Sequence, residues 1–309
     1  MIDIRQLRYF LAIADSPSIS AAAHSIGVAQ PSLSQHIQRM EEELGVKLMD
    51  RSPRGTLLTQ EGHVFVDHAR RICESLDRCI ADMRELGGVV RGKVGFGMPP
   101  SCSMVMSVPL AETVRLELPE VRLRAVEAMS GYLKTWIEDG TVDIGFLYDL
   151  TDAAHLRATQ VMEEELFFYS APDAWPLNTP PGTPVPLAEL QKLDLVLPSN
   201  GLRNTIEGYC KKHGIKLNVV VEMDAMTQIK ELVARGSGYT IFAPVAAQDF
   251  VRRGELLRAP IIEPTMIRPV YIVSNPSRVM TRACRAVEQL TLDVARELVQ
   301  RDIWEGRLV

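Results

Sequence analysis

Residues 18–62 have the sequence SISAAAHSIGVAQPSLSQHIQRMEEELGVKLMDRSPRGTLLTQEG, which predicts two short helices joined by a tight turn. Ser18 stands just before the first helix, where a hydroxyl can accept a hydrogen bond from the first turn. Gly27 ends that helix, and Pro31 opens the next one, where its missing N–H costs nothing. The second helix has an apolar stripe at helical spacing, formed by Leu33, Ile37, Met40 and Leu44. Two helices arranged in this way form a helix-turn-helix.

The second helix also has a polar outer face. It carries Gln30, Ser32, Ser34, Gln35, Gln38 and Arg39. Such donors and acceptors suit the base edges and phosphates of double-stranded DNA. An ordinary solvated helix is the alternative. It stays open because residues 1–58 carry six basic and six acidic side chains and are not basic overall.

Residues 48–59 follow the second helix and contain Pro53 and Gly55, which favour a hairpin or wing. Arg51 and Arg54 flank the turn of this hairpin. They predict a local positive rim, although the net charge of the whole chain is −5.

Residues 60–86 contain no proline and only one glycine, which predicts a long helix. Apolar residues recur along it at alternating spacings of four and three, at Phe65, Ala69, Ile72, Leu76, Cys79, Met83 and Leu86. This repeat is typical of a coiled-coil seam and indicates a dimerising helix. The alternative is an amphipathic helix that lies on its own domain. Gly87, Gly88 and Gly92 predict a hinge after the helix.

The pattern changes after the hinge to strands that alternate with helices. Strands are predicted at residues 94–98, 121–126 and 142–147, with helices at 104–118 and 132–138 between them. A second set of strands and helices begins at residue 166, and residues 278–304 form one long final helix. This alternation predicts an α/β fold with parallel sheets that are covered by helices.

Length and composition limit the class of protein. The chain has 309 residues, of which 46% are hydrophobic and 24% charged, as in an ordinary globular protein with two or more domains. No apolar run approaches the roughly 18 residues of a membrane helix, so no membrane partner is expected. The N-terminal segment is interrupted by Asp3, Arg5 and Arg8, which argues against a signal peptide and for a cytoplasmic protein.

Motifs of catalysis and metal binding are missing from the sequence. It contains no nucleophile elbow, P-loop, GxGxxG or HExxH motif, and its six histidines are scattered. The five cysteines form no CxxC pair, so we expect no metal, no cofactor and reduced, buried thiols. An enzyme or a two-lobed small-molecule-binding protein without a DNA role is the alternative to a regulator.

Residues 18–62 resemble the N-terminal signature of LysR-type transcriptional regulators, with the pattern AA…L…SQP-x-S-x-x-I-x-x-L-E-x-x-L-G-x-x-L-F-x-R…T-x-x-G. The chain departs mildly from that pattern at Ile26, Ala29, Met40 and Met49. The string GKVGFGMPPSCS at residues 92–103 is similar to the nitrogen-assimilation-control branch of the family. The resemblance adds Ser18 and Pro31 to the candidate DNA contacts.

The resemblance implies three domains. These are a winged helix-turn-helix at residues 1–58, a linker helix and hinge at 59–91, and a periplasmic-binding-protein-like effector domain at 92–309. Lobe one of the effector domain would comprise residues 92–162 and 268–309, and lobe two residues 163–267. The implied protein is a homodimer that pairs into a homotetramer. Its partners would be promoter DNA, a small-molecule effector and RNA polymerase. A peroxide sensor of this family would need two neighbouring cysteines, whereas Cys210 stands alone in lobe two.

Polar residues follow the predicted strands of the effector domain, where ligands of open α/β sheets bind. They are Ser101, Ser103, Ser130, Gly131, Ser199, Asn200 and Arg203, with Thr227 and Pro244 as weaker candidates. Hydroxyl groups beside helix N-termini attract a carboxylate, so the set predicts a site for a small anionic effector between the lobes. Each serine alone could simply cap a helix, and Arg203 could equally pair with a nearby acid.

Overall fold

The computed structural model describes residues 2–52, 55–84 and 89–309. The chain divides into two compact units, Met1–Gly87 and Gly88–Val309. Gly87 and Gly88 of the predicted hinge lie outside the described residues.

The N-terminal unit is a helical core with a hairpin. Its elements are α1 (Ile4–Ala14), α2 (Ile19–Ser25), α3 (Gln30–Leu44), β1 (Met49–Ser52), β2 (Gly55–Leu58) and α4 (Gln60–Arg84). Ser18 caps α2 as predicted, since its hydroxyl accepts the Ala21 N–H. Gly45 ends α3 in the left-handed conformation that glycine adopts without steric cost. The predicted hairpin is present, because β1 pairs with β2 in antiparallel register.

Helix α4 divides its apolar residues between two faces. Val66, Ala69 and Cys73 are buried in the core of the unit, and Phe65 packs edge-on against Phe10. The predicted seam was therefore wrong to include Ala69, because this residue faces its own domain. Farther along the helix, Ile72 is 51% exposed and Ile80 38% exposed. Within the predicted seam, Leu76 is half-buried and Cys79 is exposed, whereas the Met83 side chain and Leu86 lie outside the described part.

Lobe one of the C-terminal unit begins with a sheet that is covered on both faces. Its first elements are β3 (Arg91–Met98), α5 (Pro100–Glu117), β4 (Glu120–Glu127), α6 (Ser130–Asp139), β5 (Ile144–Leu147) and β6 (Arg157–Glu165). Leu133 and Ile137 of α6 are fully buried on one face of the sheet, and Met106 and Leu110 of α5 on the other.

Lobe two follows directly after β6. It comprises β7 (Phe167–Ser170), β8 (Val185–Pro186), β9 (Asp194–Leu197), α7 (Gly201–Lys212), β10 (Asn218–Glu222), α8 (Met226–Ala234), β11 (Thr240–Phe242), α9 (Pro244–Arg252) and β12 (Leu257–Ile262). Its strands form a sheet of order β11-β7-β12-β8 and a separate parallel pair, β10-β9.

The chain then returns to lobe one through β13 (Ile267–Ser274), α10 (Arg282–Gln300) and β14 (Arg307–Leu308). The sheet of lobe one has the order β14-β6-β13-β5-β3-β4. The two strands that carry the chain between the lobes, β6 and β13, lie side by side in antiparallel register. We call them the crossing strands.

The structure confirms the predicted class of a winged helix-turn-helix followed by two α/β lobes. The prediction of parallel sheets was wrong in part. Strands β3, β4 and β5 are parallel, but β13 runs antiparallel to both of its neighbours, β5 and β6. The reason is that β13 brings the chain back from lobe two, opposite to the direction in which β6 leaves.

Candidate functional site

The first candidate surface is the outer face of α3. Leu33, Ile37 and Met40 are buried beneath the helix and fix its rotation. On the opposite side Ser34 is half-buried, and the other candidates are exposed, namely Gln30, Pro31, Ser32, Gln35, Gln38 and Arg39. The Gln38 amide donates to the Glu42 carboxylate at 3.0 Å. The helix thus presents amide, hydroxyl and guanidinium groups together on one accessible face.

A buried acid anchors the hairpin to α3. The Glu41 carboxylate is 7% exposed, and its Oε1 accepts the N–H groups of Leu48 at 2.8 Å and Met49 at 3.1 Å. Its Oε2 lies 3.1 Å from Lys47 Nζ. These bonds set the position of the wing relative to α3. In the sequence Glu41 is only one of three consecutive acids, and sequence patterns missed this role.

The remaining candidates for DNA contact differ in position. The Ser18 hydroxyl accepts the Ala21 N–H at 3.1 Å and so serves as a helix cap. The side chain of Arg51 and the whole of Arg54 lie outside the part of the chain that the structure describes.

The second candidate site is a cavity of about 560 Å³ between the two lobes of the C-terminal unit. Five of the predicted residues line it, namely Ser101, Ser130, Gly131, Ser199 and Asn200. Four helices begin at this cavity, which are α5, α6, α7 and α8; α8 has Ala225 in the cap position and no side-chain cap. Helix α7 is capped by Asn200, whose Oδ1 accepts the Leu202 N–H at 3.0 Å. Helices α5 and α6 have Pro99 and Met129 in the cap position and no side-chain cap.

A buried ion pair forms part of the lobe-one wall. Arg268 of β13 is 3% exposed and Glu164 of β6 is fully buried, and the two residues are directly opposite on the crossing strands. Arg268 donates to Glu164 Oε2 through Nε at 2.9 Å and through Nη2 at 2.5 Å. The other oxygen of Glu164 accepts the Trp304 indole N–H at 2.8 Å. Both oxygens of the carboxylate are therefore satisfied inside the protein.

Arg268 also reaches the cavity through two neighbours. Its Nη2 lies 3.3 Å from the Ser101 hydroxyl, and its guanidinium carbon lies 3.7 Å from the centre of the Tyr148 ring. The hydroxyls of Ser101 and Tyr148 are 2.5 Å apart. Burial lowers the pKa of Arg268, whereas the charge of the facing Glu164 carboxylate and the hydrogen bonds to it raise the pKa, and the net shift is upward. The guanidinium therefore stays protonated, with its charge balanced by Glu164.

Burial keeps two neighbouring groups protonated. It raises the pKa of the Tyr148 hydroxyl well above its usual value, although the charge of Arg268 partly opposes the effect. Burial also raises the pKa of the Cys102 thiol, and the Glu164 carboxylate raises it further. Cys102 Sγ lies 3.1 Å from the Tyr148 hydroxyl. At neutral pH the Tyr148 hydroxyl at the cavity wall and the buried Cys102 thiol, which is not part of the lining, are therefore both neutral.

Three predicted effector residues do not line the cavity. Helix α5 begins earlier than predicted, at Pro100, so that Ser103 falls beyond its first residues, and its carbonyl accepts the Ser107 hydroxyl. Arg203 pairs with Glu207 and Glu222, which is the alternative that the sequence left open. Thr227 is exposed at the start of α8. The weaker candidate Pro244 is buried at the start of α9 and is not part of the lining.

Sequence patterns missed three chemically important residues of the lining, Tyr148, Asp224 and Arg268. Tyr148 follows β5 and Asp224 follows β10, so the rule that ligands bind beyond strand ends could have found both. Arg268 lies inside a crossing strand, and its place at the cavity depends on how that strand pairs.

The described residues contain no group of three or more His, Cys, Asp or Glu side chains arranged to hold a metal ion. Within the same residues, no helix combines the length and apolar character needed to cross a membrane. The expectation of buried thiols was wrong for Cys79, which is exposed, whereas Cys73, Cys102, Cys210 and Cys284 are buried.

Comparison with known proteins gives two family matches. Residues 87–296 match the LysR substrate binding domain, and residues 4–63 match the bacterial regulatory helix-turn-helix protein, lysR family. The nitrogen assimilation regulatory protein Nac of Klebsiella aerogenes is 26% identical over 99% of this chain and 98% of its own length. The transcriptional regulator BenM of Acinetobacter baylyi is 26% identical over 88% of this chain and 89% of its own.

Solved structures share the fold. A full-length OxyR variant from Pseudomonas aeruginosa superposes with a TM-score of 0.70 at 20% identity, covering 96% of this chain and 95% of that one. Full-length CbnR, crystallised with its target DNA, has a TM-score of 0.57 at 22% identity and covers 95% of this chain and 100% of that one.

Proposed function

The chain belongs to the LysR family of bacterial transcriptional regulators, and we propose that it couples ligand binding in the interlobe cavity to DNA binding through α3. Membership of this family makes it a DNA-binding transcriptional regulator rather than an enzyme. The proposal divides the chain into residues 1–58 for DNA binding, 59–91 for linkage and dimerisation, and 92–309 for effector binding. It places the regulator in the cytoplasm, where bacterial promoter DNA is found.

The proposed DNA contacts are the side chains on the outer face of α3. This proposal is supported by the rotation of α3. Leu33, Ile37 and Met40 are buried, so that the polar face on the opposite side of the helix is accessible. In the major groove, amide side chains form hydrogen bonds with adenine, and hydroxyl groups form hydrogen bonds with base edges. Hydroxyl groups also form hydrogen bonds with backbone phosphates.

A gel-shift titration on DNA from upstream of the protein's own gene tests these contacts. The double variant Ser34→Ala/Gln35→Ala should lose about 1–3 kcal/mol of binding free energy for each base contact removed. Ser277→Ala/Gln289→Ala serves as the control. It removes one serine and one glutamine, both exposed, from the C-terminal unit. Unchanged affinity of the first variant would remove Ser34 and Gln35 from the interface.

We infer that α4 joins two copies of the chain and that such dimers pair into tetramers. The support is the part of the predicted seam formed by Ile72, Leu76 and Cys79, spaced four and three residues apart, in which Ile72 and Cys79 are exposed while the other face of the helix is already buried. Apolar side chains at this spacing are usually covered in a coiled coil.

The cavity is proposed to bind a small organic anion. This proposal is supported by the N-termini of α5 and α6, which have no side-chain cap. The N–H groups and the helix dipole at such an end attract negative charge. Arg268, paired with Glu164, lines the same wall, and the hydroxyls of Ser101 and Ser130 supply donors. Such a ligand contacts both lobes and can bind one relative arrangement of the lobes more tightly than another. The change in DNA-binding free energy that it causes is limited by this difference in ligand affinity.

Thermal-shift screening of metabolite acids tests this site. A genuine ligand should raise Tm in the parent chain and lose this effect in Ser101→Ala/Ser130→Ala. Ser103→Ala is the matched control, since Ser103 lies on the same helix but not on the cavity wall. Stabilisation that survives the double variant would place the ligand elsewhere. No stabilisation by any acid at millimolar concentration, with DNA binding intact, would argue against an anionic effector.

A further inference from the structure

The charges on the cavity wall are distributed unequally between the lobes. Among the described residues that line the cavity, only Arg268 and Asp224 carry a charge. Arg268 lies on the lobe-one side, paired with Glu164 and 3.3 Å from Ser101 at the start of α5. Asp224 lies in lobe two, between β10 and α8. A ligand that spans the cavity therefore meets uncapped helix N-termini and hydrogen-bond donors at one end and a carboxylate at the other.

Hydrogen bonds from Ser199 hold the Asp224 carboxylate in place and leave some of its lone pairs free to accept further hydrogen bonds. Its Oδ1 accepts the Ser199 N–H at 2.9 Å, and the Ser199 hydroxyl lies 3.0 Å from each carboxylate oxygen. That hydroxyl has one proton and can donate to only one oxygen at a time. Each carboxylate oxygen has two lone pairs, so Asp224 can still accept a donor from the cavity.

The helix N-termini on the lobe-two side differ from each other. Asn200 caps α7 with its own side chain, whereas α8 has Ala225 in the cap position and no side-chain cap; the charge of Asp224, two residues before α8, offsets the positive end of that helix. A second anionic group of a ligand would meet the Asp224 carboxylate here without a free cation among the described lining residues. The lobe-two wall thus disfavours an anionic group of the ligand and favours a group that donates a hydrogen bond to Asp224.

We propose that the effector is an organic acid that also carries a protonated amine, and that Asp224 receives this amine. The inference rests on the proposed function, because the acid group of the same ligand occupies the lobe-one wall. The ammonium forms a charge-assisted hydrogen bond with Asp224. Dicarboxylates of the same size are rejected by repulsion at the lobe-two wall.

Matched ligand pairs test this selectivity on the full chain. The probes are succinate with β-alanine, glutarate with γ-aminobutyrate, and benzylmalonate with phenylalanine, together with the other proteinogenic amino acids. In each pair an ammonium replaces one carboxylate. We expect at least one amino acid to raise Tm and its dicarboxylate partner to leave Tm unchanged.

Asp224→Asn should weaken binding of that amino acid about tenfold to a hundredfold, because a hydrogen bond between two charges is lost. The asparagine can still accept the Ser199 N–H, so the loop is retained. Glu222→Gln is the control, since it removes an equal charge from the same lobe but pairs with Arg203 outside the cavity.

The outcomes distinguish failure of the proposed amine site at Asp224 from failure of the proposed anion site at the lobe-one wall. Stabilisation by dicarboxylates and not by amino acids, abolished in Ser101→Ala/Ser130→Ala, would overturn the amine and leave the anion site intact. Amino-acid binding that is unaffected by Asp224→Asn would also overturn the role of Asp224. No stabilisation by any amino acid or dicarboxylate of the panel would overturn both the amine and the anion site.

Discussion

The pair formed by Arg268 and Glu164 gives the sharpest stability prediction. Replacing Arg268 with methionine keeps much of the side-chain volume and leaves the fully buried Glu164 carboxylate without its cation. Removing one partner of a buried ion pair costs about 3–5 kcal/mol, because an unpaired charge remains in the interior. For a unit of this size each 1 kcal/mol lowers Tm by about 2–4 °C, so Arg268→Met should lower Tm by about 6–20 °C.

The double variant Arg268→Met/Glu164→Met separates loss of the pair from loss of packing. It removes the buried charge altogether and leaves the Trp304 N–H as the main unsatisfied group, at a cost of about 1–3 kcal/mol. We therefore expect the double variant to unfold at a higher temperature than Arg268→Met alone. Calorimetry or circular dichroism at neutral pH measures both.

Arg307→Met provides the matched control. Arg307 pairs with Glu163, the neighbour of Glu164 on the same strand, but its side chain is 80% exposed. Water screens such a pair, so Tm should change little. If the two arginine variants have the same Tm, or if the double variant unfolds below Arg268→Met, the argument that a buried unpaired charge dominates is refuted.

Three further predictions concern the rest of the chain. Gly62→Ala should destabilise the N-terminal unit by about 1–3 kcal/mol and weaken operator binding, because its Cβ would overlap the Leu48 carbonyl oxygen. Gly208→Ala, which points into open space, should be neutral or stabilising in the same denaturation assay. Ile72→Asp should shift sedimentation toward smaller species, because it places a carboxylate in the proposed dimer seam, while Ile72 is 51% exposed in the protomer itself; an unchanged mass would place dimerisation elsewhere. The buried Cys102, with its raised pKa, should react with iodoacetamide only after unfolding; mass spectrometry of the labelled peptides before and after unfolding checks this.

Local patterns in the sequence predicted the elements that depend on local chemistry. The caps and turns of the helix-turn-helix follow from Ser18, Gly27 and Pro31, because capping bonds and glycine conformations act over a few residues. Strand ends were predicted well enough to place Ser101, Ser130 and Ser199 at the cavity. The resemblance of residues 18–62 to the LysR signature was enough to indicate the family, because that signature is dense and continuous in sequence.

Local patterns could not decide which side of a helix meets which neighbour. The apolar repeat of α4 has one period, yet Ala69 faces its own core and Ile72 faces solvent. Glu41 shows the same limit, since its burial depends on the backbone of the hairpin that follows.

The amino-acid sequence alone was thus sufficient for the helix-turn-helix and the serines at the interlobe cavity, whereas the sequence pattern did not predict β6, α9 or β12. The charges of that cavity depend instead on tertiary contacts. Arg268 and Glu164 are 104 residues apart in sequence and become neighbours through the register of the crossing strands. Asp224 meets Ser199 only when β9 and β10 pair. Pairings of this kind depend on contacts between distant segments, and side-chain periodicity along one segment shows which residues share a face without identifying the partner strand.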